Sequence, residues 1–191
     1  MFQARIHGRG GQGVVSAAEM LSVAAFLEGR HSQAFPSFGS ERMGAPVMAF
    51  CRIDDKEIRL REPVMKPDAL IIQDPTLLYQ VNLFQGLSES GCVVVNSSRN
   101  LADLGLGDFR RDNPEGNVVT VPATELALQY VGRPLPNAAL LGGFAALTGL
   151  IKLESIEAAI RKKFPAKVAE ANISAARAAA ESVMQSGAIP C

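Results

Sequence analysis

Close to the start of the chain, the eight residues "HGRGGQGV" (7–14) combine four glycines with His7, Arg9 and Gln12. Gly8, Gly10 and Gly13 stand at the G-x-G-x-x-G spacing, and Gly11 is an additional glycine inside it. Between a strand and a helix, such a loop brings backbone amides up to a phosphate, and the helix dipole adds positive potential. Gly8 and Gly10 are expected to turn the chain and admit a bulky group, and Gly13 to let helix and strand pack closely. Arg9 adds a formal charge suited to a phosphate or carboxylate. The candidate anion-binding set is therefore Gly8, Arg9, Gly10, Gly11, Gln12 and Gly13.

A nicotinamide or flavin site demands more. An acidic side chain should close the second strand about 20 residues after the loop, where it holds the ribose hydroxyls. That region reads "RHSQAFPSF" (30–38) and carries no carboxylate; Glu28 precedes it and Glu41 lies beyond it. The residues argue against ordinary dinucleotide binding.

A second candidate is "PSFGSERMGAP" (36–46), a Gly-, Pro- and Ser-rich loop. Ser40, Glu41 and Arg42 have two readings. They line an active-site mouth or interface, with Arg42 gripping a carboxylate or phosphate. Alternatively, Glu41 forms an internal ion pair with an arginine. His7 reads as a hydrogen-bonded strand-end residue and His31 as the start of a strand. Neither has a metal-ligand neighbour at helical spacing. G-x-S-x-G and G-x-x-x-x-G-K-[ST] are missing from the sequence. No residue is assigned a catalytic or metal-binding role.

The elements that must position these residues follow from the patterning. Phe2–His7 alternates like a strand, and Val14–Glu28 has helical periodicity ended by Gly29. His31–Phe35 predicts a short strand, and 47–61 predicts a hairpin about Asp54 and Asp55. "ALIIQDP" (69–75) predicts a buried strand, with Asp74 and Pro75 capping and opening the next helix. "CVVVNSS" (92–98) is another strand, 97–117 a surface excursion, and 117–131 a strand followed by a helix. Residues 137–151 are apolar around the whole helix, with Asn137 as N-cap, predicting burial in a core or beneath a partner. Helices at 155–164 (amphipathic) and 165–185 (opened by Pro165) complete the chain. The expected fold class is α/β: a three-layer sandwich with a mostly parallel sheet, an antiparallel hairpin and a Rossmann-like glycine loop after the first strand. Nothing divides residues 1–191 into two domains.

Composition limits the function classes. The 19 basic and 19 acidic residues cancel, which gives no nucleic-acid footprint. No apolar run reaches the length of about 20 that a membrane span needs, and no signal peptide opens the chain. Cys51, Cys92 and Cys191 form neither a C-x-x-C pair nor a disulfide framework, which fits a reducing cytoplasm. Cys51 and Cys92 fall in strand patterns and read as core residues.

Several segments together carry a more specific signal: "HGRGGQGVVSAAEMLSVAAF", "QAFPSFGSERMGAPVMAFCRID", "IRLREP", "IIQDPTLL" and "NAALLGGFAALTGLIKLE". Over nearly its whole length the chain resembles the gamma subunit of 2-oxoacid:ferredoxin oxidoreductases, in the pyruvate synthase (pyruvate:ferredoxin oxidoreductase) and 2-ketoisovalerate branch. The resemblance implies a non-catalytic subunit of an enzyme that converts pyruvate, CoA and oxidised ferredoxin to acetyl-CoA, CO₂ and reduced ferredoxin. Thiamine diphosphate and Mg²⁺ would belong to alpha and beta subunits, and [4Fe–4S] clusters to beta and delta. This chain would pack on the alpha–beta pair and govern coenzyme A access. Coenzyme A carries a pyrophosphate and a 3′-phosphate, so the nest at 8–13 is its expected contact; the other reading is that the loop packs against the alpha–beta surface. The alternatives are a 2-ketoisovalerate, 2-oxoglutarate or indolepyruvate complex, or a free-standing dinucleotide-binding protein.

Overall fold

The computed structural model describes residues 1–37, 43–109 and 116–188. Its strands are β1 (Phe2–Arg9), β2 (His31–Pro36), β3 (Pro46–Asp54), β4 (Ala69–Ile72), β5 (Cys92–Asn96) and β6 (Asn117–Val121). Its α-helices are α1 (Val14–Leu27), α2 (Ala123–Val131), α3 (Asn137–Thr148), α4 (Leu153–Lys163) and α5 (Ala166–Gln185). Two 3₁₀ segments, Pro75–Tyr79 and Ala102–Leu104, follow β4 and β5. The strands form one mixed sheet in the order β2-β3-β1-β4-β5-β6. β1, β4, β5 and β6 run parallel, and β3 is antiparallel to both β1 and β2. The antiparallel hairpin is thus β2–β3.

The predicted hairpin at 47–61 is corrected in this arrangement. Only its first arm forms, as β3. Asp54 Oδ1 accepts from the amides of Asp55 (2.7 Å) and Lys56 (3.4 Å) and turns the chain. The segment that follows supplies carbonyls to the buried Arg52: Leu60 O to Nη1 at 3.4 Å and Glu62 O to Nη2 at 2.6 Å. A buried guanidinium must find acceptors, and on β3 that requirement displaces a second strand. The alternation at 57–61 finds no free edge on β3, which β1 and β2 already flank.

One face of the sheet buries Ala4, Ile6, Ala49, Cys51, Ile53, Ile71, Val94 and Val119 against the helical layer. The other face has two halves. Over β4–β6, Leu70, Ile72, Val93, Val95 and Val118 are covered by Leu77, Leu83, Leu104 and Phe109. This third layer is built from 3₁₀ turns and loop, so the predicted surface excursion contributes Leu104 and Phe109 to a core. Over β1 and β3, the same face presents Arg5, His7, Met48, Phe50 and Arg52, as the strand register requires.

α3 is buried on almost every side, as predicted, but its cover is the chain's own α5. Gly142 presses on the carbonyl of Ala176, where any side chain would collide, and the alanines of α5 complete the close approach. Of the two expected settings, a core or a partner surface, the helix takes the core. Asn137 is the first residue of that helix rather than its cap: Pro136 precedes it, and Asn137 Oδ1 accepts from the Ala138 amide at 2.9 Å.

Candidate functional site

The glycine loop lies at the C-terminal end of β1. Its tight turns fall at Gly11 (φ 94°) and Gly13 (φ 76°), in the left-handed region that favours glycine. Gly8 is instead a strand residue pressed on Val14, whose Cγ2 would lie 2.6 Å from a Cβ there. Gly10 continues the extended chain, donating to Ala45 O (3.0 Å) and accepting from the Gly44 amide (3.1 Å). The expected turning role thus moves from Gly8 and Gly10 to Gly11 and Gly13. Gly13 also closes on the Asn137 side chain of α3, whose Nδ2 would lie 2.7 Å from a Cβ at this position. The close packing there is against a neighbouring helix.

Gly13 precedes α1 and no side chain caps the helix. The Ala17 amide is the first to reach a helical carbonyl, Gly13 O at 2.9 Å. The amides of Val14, Val15 and Ser16 are left at an open helix start, beside a cavity of about 310 Å³ lined by Arg9, Gly10, Gly11, Gly13, Ser16 and Val47, among others. Such a start carries the positive end of the helix dipole.

Arg9 does not reach out toward a ligand. Its Nε donates to Asp74 Oδ2 (3.1 Å), Nη1 to Gly44 O (3.0 Å), and Nη2 to Thr76 Oγ1 and Gln80 Oε1 (both 2.8 Å). Gln12 works alongside it: Oε1 accepts from the Arg9 amide at 2.8 Å, and Nε2 donates to Asp74 Oδ2 at 3.0 Å. Asp74 is the predicted cap, accepting from the Thr76 amide at 3.0 Å. It is also the hub that ties the glycine loop to the segment after β4, a role that sequence reasoning misses. Burial alone would raise its carboxyl, but hydrogen bonds from Thr76 and Gln12, with the Arg9 charge, hold it below the usual carboxylate range.

Sequence reasoning also misses Arg5 and His7 as a pair. They are 8% and 5% exposed at the floor of a cleft of about 540 Å³. Arg5 Nε donates to His7 Nε2 at 3.0 Å, and Arg5 Nη2 to the carbonyls of Leu83 (2.7 Å) and Gln85 (2.8 Å). His7 is hydrogen-bonded, as expected. Burial, then the adjacent Arg5 charge, pushes its imidazole down to about 3, so it stays neutral, accepts at Nε2 and carries its proton on Nδ1. Their i, i+2 spacing on a strand is the signal that could have found them.

Ser40, Glu41 and Arg42 lie outside the described residues. Among those described, no three His, Cys, Asp or Glu side chains gather as metal ligands, and no helix is long and apolar enough to cross a membrane. Cys51 is a buried free thiol pushed up to about 12 by desolvation. The dinucleotide geometry also fails at the sheet. β2, which should lie beside β1 to present a ribose-binding carboxylate, is separated from it by β3.

Comparison with known proteins fits this arrangement. Residues 3–182 match the family described as "Pyruvate ferredoxin/flavodoxin oxidoreductase". The chain is 47% identical over 179 residues to "Pyruvate synthase subunit PorC" of Methanocaldococcus jannaschii, covering 94% of this chain and 95% of that protein. It is 46% identical over 181 residues to the "Pyruvate/ketoisovalerate oxidoreductases common subunit gamma" of Pyrococcus abyssi, covering 95% and 96%. The crystal structure of the pyruvate oxidoreductase subunit PORC from Thermotoga maritima superposes with a TM-score of 0.78 at 39% identity, covering 94% of this chain and 95% of that one. An open glycine loop, a braced Arg9 and a sheet order unlike that of dinucleotide enzymes thus occur in a chain that belongs to the pyruvate ferredoxin/flavodoxin oxidoreductase family.

Proposed function

We propose that this chain, acting as one unit over residues 1–191, is the gamma subunit of a cytoplasmic pyruvate:ferredoxin oxidoreductase. The observation that carries the reading is its end-to-end likeness, at 47% identity, to a protein named as a pyruvate synthase subunit. Alpha, beta and delta chains then supply thiamine diphosphate with Mg²⁺ and the [4Fe–4S] clusters, and ferredoxin receives the electrons through them. The Pyrococcus abyssi relative is named as a subunit common to pyruvate and ketoisovalerate oxidoreductases. That name supports a second reading in which this chain also serves a 2-ketoisovalerate enzyme and the companion chains choose the acid.

The loop's part is to receive coenzyme A. The amides of Val14, Val15 and Ser16 beside the cavity at the start of α1 suit a phosphate, while Arg9 braces the loop through Asp74 rather than contacting the ligand. Ser40, Glu41 and Arg42 would sit at the mouth of the active site or at the interface. Reconstitution tests the assembly: pyruvate- and CoA-dependent ferredoxin reduction by the companion chains should require this one, and undiminished reduction without it would refute the reading. Ser16→Asp tests the loop. An acidic residue in the first turn favours the helix but repels a phosphate, so the Michaelis constant for CoA should rise about tenfold at unchanged turnover. An unchanged constant would mean that the loop only packs against its neighbours.

A further inference from the structure

Among the described residues, the buried Arg52 and Glu157 and the part-buried Arg9 are fully matched, and the buried Arg5 is not. Arg52, 1% exposed, has all three guanidinium nitrogens matched, by Gln3 Oε1, Leu60 O and Glu62 O. Glu157, 6% exposed, holds Arg177 through both oxygens, at 2.6 and 2.7 Å. Arg9 has all three nitrogens occupied and a carboxylate partner. In Arg5, Nε and Nη2 are matched by an imidazole and two carbonyls. Nη1 has no acceptor and the guanidinium no carboxylate among the described residues. Burying a cation without a counter-charge is unfavourable, and removing it from water lowers its affinity for the proton. The unmatched nitrogen belongs to a residue on the floor of the 540 Å³ cleft.

The rim of that cleft is exposed and mixed, with the polar Asn82 and Gln85 beside apolar side chains. Met48, Met65 and Val81 line it and are 37%, 67% and 43% exposed. Leu77, Phe50 and Val64 form buried wall beneath them. Across β4–β6 the same face of the sheet is roofed by the chain's own 3₁₀ segments, whereas over β1 and β3 the loops at 63–65 and 81–85 wall in Arg5, His7 and Phe50 and leave a cleft between them. A small acid lodged on Arg5 would leave the rim exposed. A protein surface would cover rim and floor together, with a carboxylate central and desolvated, as at an interface hot spot.

We propose that this cleft is the docking surface for a companion subunit, which inserts an apolar segment bearing one aspartate or glutamate onto Arg5. The inference rests on the gamma-subunit reading above and specifies which face of the chain that assembly uses. His7 keeps the guanidinium oriented by accepting from Nε, so Nη1 remains directed to the newcomer. The segment fills the cleft between the loops that wall in β1 and β3.

The test is co-purification of the full chain with the thiamine-binding companion chains, with dissociation constants read from titration of assembly. Val81→Asp and Met65→Asp change exposed rim residues and leave the fold intact. Each should weaken assembly tenfold or more, whereas Met184→Asp, on exposed α5 (62%), should not. Arg5→Met should weaken it as much, and Arg5→Lys less. If the wild-type chain assembles and the rim variants bind as tightly, the inference falls and the gamma-subunit reading stands. If the wild-type chain does not assemble, both fall. If isovalerate binds the isolated chain at millimolar concentration and Arg5→Lys abolishes that binding, the cleft is a small-acid site and the docking assignment is overturned.

Discussion

Arg5 and Arg9 leave the same face of β1 four residues apart, yet one is open to a newcomer and the other is closed. Arg9 meets a carboxylate, two side-chain oxygens and a carbonyl, all on its own chain. Arg5 meets an imidazole and two carbonyls and keeps one nitrogen unmatched at the floor of a cleft. Position explains the difference. Arg9 lies at the strand end, within reach of Asp74, Thr76 and Gln80 where the chain turns out of β4. Arg5 lies mid-strand, where the His7 imidazole and the backbone of the 83–85 loop come close but no side-chain carboxylate does among the described residues. The residue whose place in a glycine motif suggests ligand binding is thus the brace, and the one in an unremarked strand is the open donor.

Three changes sharpen or break that contrast. The largest effect belongs to Asp74→Ala, which removes the hub holding Arg9, Gln12 and the Thr76 amide. Losing hydrogen bonds to a charged group together with a cap should lower unfolding free energy by about 3 kcal/mol, measured by urea denaturation. A loss near zero would mean that Arg9 is not braced. Next comes acid. The folded imidazole of His7 titrates at about 3, while an unfolded one titrates near 6.5. Below that unfolded value the unfolded chain takes up the proton first, so stability is full above pH of about 6.5 and falls as pH drops toward 3. The loss at pH 5 is about 2 kcal/mol, and His7→Gln should remove that portion of the pH dependence. A wild-type profile with no loss between pH 7 and 5 would show that burial and the Arg5 charge do not hold the ring neutral. The smallest change is Arg9→Lys. A point charge keeps the ion pair with Asp74 but loses the forked contacts to Thr76 and Gln80, for about 1 kcal/mol in the same denaturation experiment; a loss equal to that of Asp74→Ala would contradict the division of roles.

Local signals are legible in the sequence. The Asp74–Pro75 cap, the strand of β4, the helix opened by Pro165 and the glycine stop of α1 each depend on neighbouring residues. The apolar circumference of α3 also announces burial. What covers it depends on a contact with α5 more than 30 residues away, for which the Gly142 and alanine pattern is the trace. The expected hairpin at 47–61 fails for the same reason: alternation indicates an extended chain but not which edge is vacant, and both edges of β3 are filled by β1 and β2. Arg5 and His7 look like the solvent side of an alternating strand. Only the tertiary fold shows that loops at 63–65 and 77–85 wall that side in. Arg9 falls beside the loop as expected, but its partners on the Asp74–Gln80 segment come more than 60 positions later, beyond any motif.

The most direct measurement is a structure of the assembled complex with coenzyme A bound. The account predicts Arg9 still on Asp74, Thr76 and Gln80, a coenzyme A phosphate at the amides that open α1, and a companion carboxylate within hydrogen-bonding distance of Arg5 Nη1. Arg9 swung off Asp74 onto a phosphate, with the Arg5 cleft open to solvent, would contradict it.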